Sequence, residues 1–346
     1  MTMKMRFHFF ILLLLVTDVV SAQDPSFSQF FASPLTLNPA LTGKFNGDLR
    51  VAGNYRNQWP TVNKAYVTST LSIDFNLLQG KLREGDQWGF GVLAMTDKTA
   101  NGILNSNYFG LSTAYHKAID EEGMHTIGVG FQGVYANRVL DGPRLHFVDG
   151  LQLDGTWLPS ATEPVNLQVV TTSFFNMNAG ILYNGSLNGT NAVYFGIAMY
   201  NINQPKESFL GGDNITVPSR LTIHGGGYFP TENSGKTWYV SALYNRQATA
   251  SEFVFGGALE MAASADETKQ VNVYVGSWVR LNNVGDAIIP YVGLDYGRFN
   301  LGMSYDVNVS GFKLASQSQG GIEISLIYLF KKSEDKGDRN VQCPRF

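Results

Sequence analysis

Gly128-Val129-Gly130-Phe131-Gln132-Gly133 matches the pattern G-x-G-x-x-G. In a dinucleotide site such glycines link a strand to a helix whose N-terminus meets the pyrophosphate. Here the motif lies inside an alternating run, with Ile127, Val129 and Phe131 on one face and Val134-Tyr135 following, and no helical pattern comes after it. The glycines therefore read as strand glycines that permit curvature and leave space on the inner face, as does the run Gly225-Gly226-Gly227. The histidines His8, His116, His125, His146 and His224 do not pair at metal-ligand spacing, so no metal or cofactor is expected. A serine hydrolase needs a serine, a histidine and an orienting polar group close in space. Ser112 and His116 share a strand face, but four residues of strand rise set them roughly 13 Å apart, too far for proton transfer. No nucleophile motif stands out, and the chain is read as non-enzymatic with no catalytic residues. Asp120-Glu121-Glu122 reads as a solvated turn.

These residues need a scaffold, and composition describes one. The 346 residues carry 25 Lys+Arg against 28 Asp+Glu, a net charge of −3. That balance offers no basic face for nucleic-acid phosphates. Charged residues are only 15% of the chain, aromatics reach 13%, glycines number 37, and mean hydropathy is −0.07. Low charge with middling hydropathy fits strands that have one apolar and one polar face, as in an outer-membrane barrel. At the N-terminus, Lys4 and Arg6 precede an apolar run over 7–16, and Val20-Ser21-Ala22 supplies the small residue that signal peptidase requires. Residues 1–22 are read as a signal peptide cleaved after Ala22. The residue immediately after the cleavage point is Gln23 and not a cysteine, which excludes a lipoprotein signal, and the single Cys343 excludes an internal disulfide.

Alternation organises the rest. Over 65–75, Ala65, Val67, Leu71, Ile73 and Phe75 share one face, and Thr68, Thr70, Ser72 and Asp74 share the other. The pattern recurs over 271–281, with Val271, Val273, Val275, Val279 and Leu281 against Asn272, Gly276 and Arg280. It recurs again over 299–309, with Phe299, Leu301, Met303, Tyr305, Val307 and Val309 against Asn300, Gly302, Ser304, Asp306 and Asn308. Such segments are about ten residues long, the length of a tilted membrane strand rather than of a soluble one. About fourteen are counted, within a range of about twelve to sixteen. They lie near 48–56, 64–76, 86–97, 107–117, 124–136, 172–184, 192–201, 219–229, 237–246, 251–262, 270–281, 286–296, 298–309 and 319–330. An even count lets an antiparallel barrel close. With the N-terminus in the periplasm, the two longest connections, 137–171 and 202–218, fall outside, and the inner turns such as 118–123, 185–191 and 230–236 are short. The expected fold is an all-β, antiparallel transmembrane β-barrel over 48–330. It is preceded by a periplasmic or plug segment over 23–47 and followed by a charged tail over 331–346. A soluble β-sandwich is the competing architecture. Inward Arg50, Asn54, Arg56, Asp74, Arg280, Asp306 and Glu323 mix both signs, as a hydrated lumen with paired charges does.

Three stretches carry a family resemblance. The first is Gln23-Asp24-Pro25-Ser26-Phe27-Ser28-Gln29-Phe30-Phe31 with Pro34-Leu35-Thr36-Leu37-Asn38-Pro39-Ala40-Leu41-Thr42-Gly43. The second is Tyr55-Arg56-Asn57-Gln58-Trp59-Pro60. The third joins Ser304-Tyr305-Asp306-Val307-Asn308-Val309-Ser310, Gly320-Gly321-Ile322-Glu323-Ile324-Ser325-Leu326 and the terminal Cys343-Pro344-Arg345-Phe346. Together they resemble the PorP/SprF family of type IX secretion outer-membrane proteins of the Bacteroidetes. The stretch 137–285 contributes nothing to the resemblance. The resemblance implies a barrel that works with periplasmic type IX components in the secretion or surface localisation of cargo such as gliding adhesins. It brings no catalytic residues. On the topology above, 23–43 and 331–346 face the periplasm. Phe27, Phe30, Phe31, Asn38, Pro39 and Trp59 are then either a docking or plug surface or residues that seal the barrel bottom and help it fold. The expected partners are outer-membrane lipid, the periplasmic machinery and an exported cargo. A general diffusion porin is the alternative, and a surface anchor that holds one cargo through 137–171 and 202–218 is a third reading.

Overall fold

The computed structural model describes residues 24–62, 65–147, 150–158, 168–209, 215–231, 235–264, 271–282, 286–311 and 317–331. The signal segment 1–22, Cys343 and the tail beyond Lys331 lie outside the described residues. Fourteen strands follow one another: β1 Leu49–Gln58, β2 Tyr66–Leu77, β3 Gln87–Thr99, β4 Leu104–Ala118, β5 His125–Asp141, β6 Val169–Ser186 and β7 Ala192–Tyr200. The second half is β8 Arg220–Thr231, β9 Lys236–Gln247, β10 Ala250–Ala262, β11 Val271–Asn282, β12 Ala287–Tyr296, β13 Phe299–Asn308 and β14 Gln319–Phe330. Each strand pairs with its sequence neighbours, and β1 pairs antiparallel with β14, so the sheet is a closed barrel with no free edge.

Side-chain parity explains why these segments close in this way. In β1, Arg50, Ala52, Asn54 and Arg56 are buried and point to the lumen, while Tyr55 is exposed. On β4 and β5 the exposed large apolar side chains are Phe109, Leu111, Tyr115, Ile127, Val129, Phe131 and Tyr135. A water-soluble barrel would reverse this arrangement. An apolar outer wall around a polar interior is the arrangement a bilayer demands. Among the described residues no helix is long and apolar enough to cross a membrane.

The strands match the alternating segments in number and nearly in bounds. The main difference is at β5 and β6, expected over 124–136 and 172–184, which continue to Asp141 and start at Val169. The ladder runs on past the end of the apolar face, where Asn137 and Ser173 point outward, so apolar alternation understates its length. The connections that follow β5 and β7 leave from one barrel end, the end that the short-turn rule expects to face outward. The opposite, short-turn end holds the start of β1.

Candidate functional site: a lumen occupied by the N-terminal segment

Residues 24–45 do not lie below the barrel. They run inside it as three short helical turns, Phe30–Ala32, Pro34–Leu37 and Pro39–Leu41. Pro34 and Pro39 each open a turn, where the missing N–H costs nothing. Asn38 caps the last turn by accepting from the Ala40 N–H at 2.8 Å. Turns this short do not hold themselves together in water. The barrel wall holds them, along the whole height of the lumen.

At the long-loop end, the Asp24 N–H donates to Gln247 Oε1 at 2.7 Å, and Asn201 Nδ2 donates to Asp24 Oδ2 at 2.9 Å. Arg220 stands 3.9 Å from the same carboxylate. These partners sit at the outward ends of β7, β8 and β9. The sequence reading leaves 23–47 as a periplasmic or a plug segment; here residues from Asp24 on run in the lumen, and Asp24 lies at the long-loop mouth. Alternation describes strands only, and it gives no direction to a segment that lies outside them.

Below Asp24 comes a buried charge cluster. The Ser28 and Gln29 N–H groups each donate to one oxygen of Glu323, both at 2.8 Å. Ser28 Oγ donates to Asp306 at 2.8 Å. Arg280 pairs with Asp306 at 2.8 Å and with Glu252 at 3.2 Å, and Arg56 reaches Asp306 at 3.2 Å. Arg280 also contacts Ser28 Oγ, and Arg56 the Ser26 carbonyl. Charges this deeply buried are stable only when paired and hydrogen-bonded. The segment supplies part of that pairing, so the wall cluster and the segment complete each other. Gln29 adds a donor to Ser304 Oγ at 3.0 Å and accepts from Ser325 Oγ at 2.7 Å.

Midway, Phe31 packs on Trp278 at 4.9 Å and edge-on to Tyr291 at 5.6 Å between ring centroids, with Phe30 against it at 5.5 Å. These rings join Leu37, Leu41, Leu243, Val254 and Ile289 in an apolar core inside the lumen. Across the barrel the Leu35 carbonyl accepts from Gln132 Nε2 at 3.0 Å. Asn38 Nδ2 donates to the Ile181 carbonyl at 3.1 Å and meets His224 Nε2 at 3.0 Å. A Cβ on Gly130 would overlap the Pro39–Ala40 backbone, and one on Gly180 would overlap the Asn38 side chain. Gly130 belongs to the G-x-G-x-x-G run, so that motif seats a polypeptide turn.

Near the short-turn end, Thr42 bridges the two residues weighed as a hydrolytic pair. Its Oγ1 lies 2.6 Å from Ser112 Oγ, and its carbonyl accepts from His116 Nε2 at 3.2 Å. The Gly43 N–H donates to Asp74 Oδ2 at 2.8 Å, and Arg50 grips that carboxylate through two nitrogens at 2.9 and 2.7 Å. Arg50 also donates to the Leu41 carbonyl at 3.0 Å. This bidentate fork is the strongest geometry available to such a pair.

Of the six residues singled out in the sequence, Phe27, Phe30, Phe31, Asn38 and Pro39 come together in the lumen, all buried. Trp59 does not join them. It sits in the β1–β2 connection, its N–H donating to the Gly320 carbonyl at 2.8 Å and its ring edge-on to Tyr66 at 5.7 Å. Sequence reasoning missed the inward Trp278 and Tyr291 as partners of Phe31, and Tyr274 as a member of the same core. Tyr274 and Trp278 share the parity of Asn272, Gly276 and Arg280, so their direction was available. Among the described residues no group of three or more His, Cys, Asp or Glu side chains has metal-binding geometry.

A closed antiparallel barrel with an apolar outer wall and a polar, ion-paired lumen defines the class of outer-membrane β-barrel proteins. The model of a more specific family, type IX secretion system membrane protein PorP/SprF, matches residues 19–328. The chain belongs to that family. A search among curated proteins finds no match. Among solved structures, the monoaromatic hydrocarbon channel CymD is similar at 10% identity and a TM-score of 0.46, covering 87% of this chain and 93% of that one. The KdgM porin is similar at 10% identity and a TM-score of 0.37, covering 81% and 99%. BamA from Haemophilus ducreyi is similar at 10% identity and a TM-score of 0.42, covering 82% and 70%.

Proposed function

We propose that this chain is a non-enzymatic outer-membrane component of type IX secretion that supports the export or surface retention of cargo proteins such as adhesins, and that residues 24–45 form its resident plug. The observation that carries the reading is the occupied lumen. Wall and segment share one hydrogen-bonded and apolar core, and among the described residues cavities between them measure about 50 and 20 Å³. A diffusion porin needs a continuous water-filled path. The plug residues Phe27, Phe30, Phe31, Asn38 and Pro39 then act by filling the barrel, and Trp59 acts at the outer rim. Partners meet the long outer connections and the periplasmic turns rather than the lumen.

The test is in situ crosslinking of a tagged chain in its native outer membrane, followed by mass spectrometry and planar-bilayer recording of the purified protein. Recovery of periplasmic type IX components with one large surface protein, and no steady conductance, is the expected result. Recovery of the barrel alone with stable pore conductance sinks the secretion reading and leaves a porin.

A further inference from the structure

The outer wall is not uniform at the level of the outer leaflet. On β2–β6 the outward side chains Ser69, Thr96, Asn107, Asn137 and Ser173 pair across successive strands and form one polar row. One row toward the short-turn end, the same strands carry Leu71, Ala94, Phe109, Tyr135 and Phe175. Ala94 is the small residue in that row, set between Leu71 and Phe109. The gap opens a cleft of about 530 Å³ on the outside of the barrel, floored by Ser69, Ala94, Thr96 and Asn107 and walled by Leu71 and Phe109. One row toward the long loops, exposed Lys98 stands opposite Asn105.

The depth of this cleft identifies its occupant class. Asn107 lies eleven residues from the short-turn end of β4 at Ala118. At about 3.3 Å per residue and a tilt near 40°, that places it roughly 25–30 Å up the barrel, at the outer edge of the apolar band. The lower half of the cleft therefore meets acyl chains, and the upper half meets headgroups. On the opposite wall, the outward Phe253, Leu281, Ile288 and Val307 stay apolar almost to the strand ends. A protein partner buried in the bilayer would find its match on that uniformly apolar wall. A cleft with apolar walls, a row of hydroxyls and amides along its floor, and a cation above matches an amphipathic anion.

We propose that the β2–β5 cleft binds a phosphorylated glycolipid of the outer leaflet. One acyl chain lies between Leu71 and Phe109, sugar hydroxyls meet Thr96, Asn107 and Asn137, and a phosphate meets Lys98.

The experiment uses the full-length protein purified from its native outer membrane in mild detergent. Native mass spectrometry quantifies co-purified lipid, then titrates lipid A against phosphatidylethanolamine. Lys98→Ala is expected to lower lipid A occupancy about fivefold, the worth of one lysine at a membrane surface. Ala94→Trp fills the cleft and is expected to abolish retention. Val292→Trp, on the outward face of β12, is expected to leave it unchanged. Heat-modifiable electrophoretic mobility reports folding, and Ala94→Leu replaces the tryptophan variant if that one fails to fold. Equal lipid A occupancy in all variants overturns the proposal. So does equal loss in the β12 variant, and so does retention of phosphatidylethanolamine as strong as that of lipid A, which makes the cleft a general phospholipid contact.

Discussion

The two halves of the lumen wall hold the same segment by different physics. Strands β3–β8 come close and offer little side chain: Gly89, Gly91, Gly130, Gly180 and Gly196 lie against the segment, with Ser112, Gln132 and His224 reaching in between. Strands β9–β14 with β1 and β2 stand further off and fill the distance with rings and charges: Trp278, Tyr291, Arg280, Asp306, Glu323 and the Arg50–Asp74 fork. Gly302, beside Gln29, is an exception on that side. The first half fixes position by shape, since an added methylene there has nowhere to go. Truncation is the more costly in the second half, because removing one member of a buried charge cluster or one large apolar ring leaves an uncompensated charge or a cavity.

That division predicts where the largest losses fall. Arg280→Ala removes a cation shared by Asp306 and Glu252, which leaves Asp306 with Arg56 as its remaining ion-pair partner and takes the paired cation from Glu252. Breaking one partner out of such a cluster costs about 3–5 kcal/mol. The expected readout is a matching drop in unfolding free energy in detergent or vesicles. Phe31→Ala opens a cavity beside Trp278 and Tyr291 and is expected to cost about 3 kcal/mol. Losses below about 0.5 kcal/mol at both sites would mean that the ring-and-charge half is not the main anchor.

The same division explains what the sequence disclosed. Strand number, parity and the inward set Arg50, Asn54, Arg56, Asp74, Arg280, Asp306 and Glu323 follow from period-two alternation, which a bilayer enforces on every strand. All seven of those residues are buried in the lumen. The path of 24–45 has no such periodicity. Its direction depends on which wall atoms receive Asp24, Ser28, Asn38 and Gly43, and those partners are up to nearly three hundred positions away in sequence. The strand glycines were legible as space, but not as space for Pro39 and Asn38. Trp59 joined the phenylalanines as an aromatic of the resembling stretches, and the structure sets it apart from them, against Tyr66.

The glycine half is tested by adding volume. Gly130→Val places two methyl groups and a Cβ where the Pro39–Ala40 backbone runs. Overpacking costs typically about 1–3 kcal/mol, less than either loss above, but its second readout is more informative. A displaced segment unblocks the lumen, so planar bilayers are expected to show conductance from Gly130→Val and none from Gly53→Ala, whose Cβ would make only an ordinary contact with the Thr70 carbonyl oxygen at 3.8 Å. A silent, fully stable Gly130→Val barrel would show that shape does not position the segment.

The smallest effect belongs outside the lumen altogether. Asp86, in the β2–β3 turn, accepts from Tyr115 Oη at 2.6 Å and from the Ala118 N–H at 2.9 Å. Burial pushes its carboxyl up, but those hydrogen bonds and the charges of Arg83 and Lys117 outweigh burial and hold it below the usual carboxylate range. A folded-state pKa lowered in this way adds stability above the unfolded value, about 3.9, and the gain fades as pH falls through the folded value. Asp86→Asn is therefore expected to lower stability slightly at neutral pH and to flatten the acid limb of the unfolding profile, with lumen occupancy unchanged. An acid limb as steep in Asp86→Asn as in the unsubstituted chain would assign that slope to the buried carboxylates of the charged half, and the turn would then hold the barrel by backbone geometry alone.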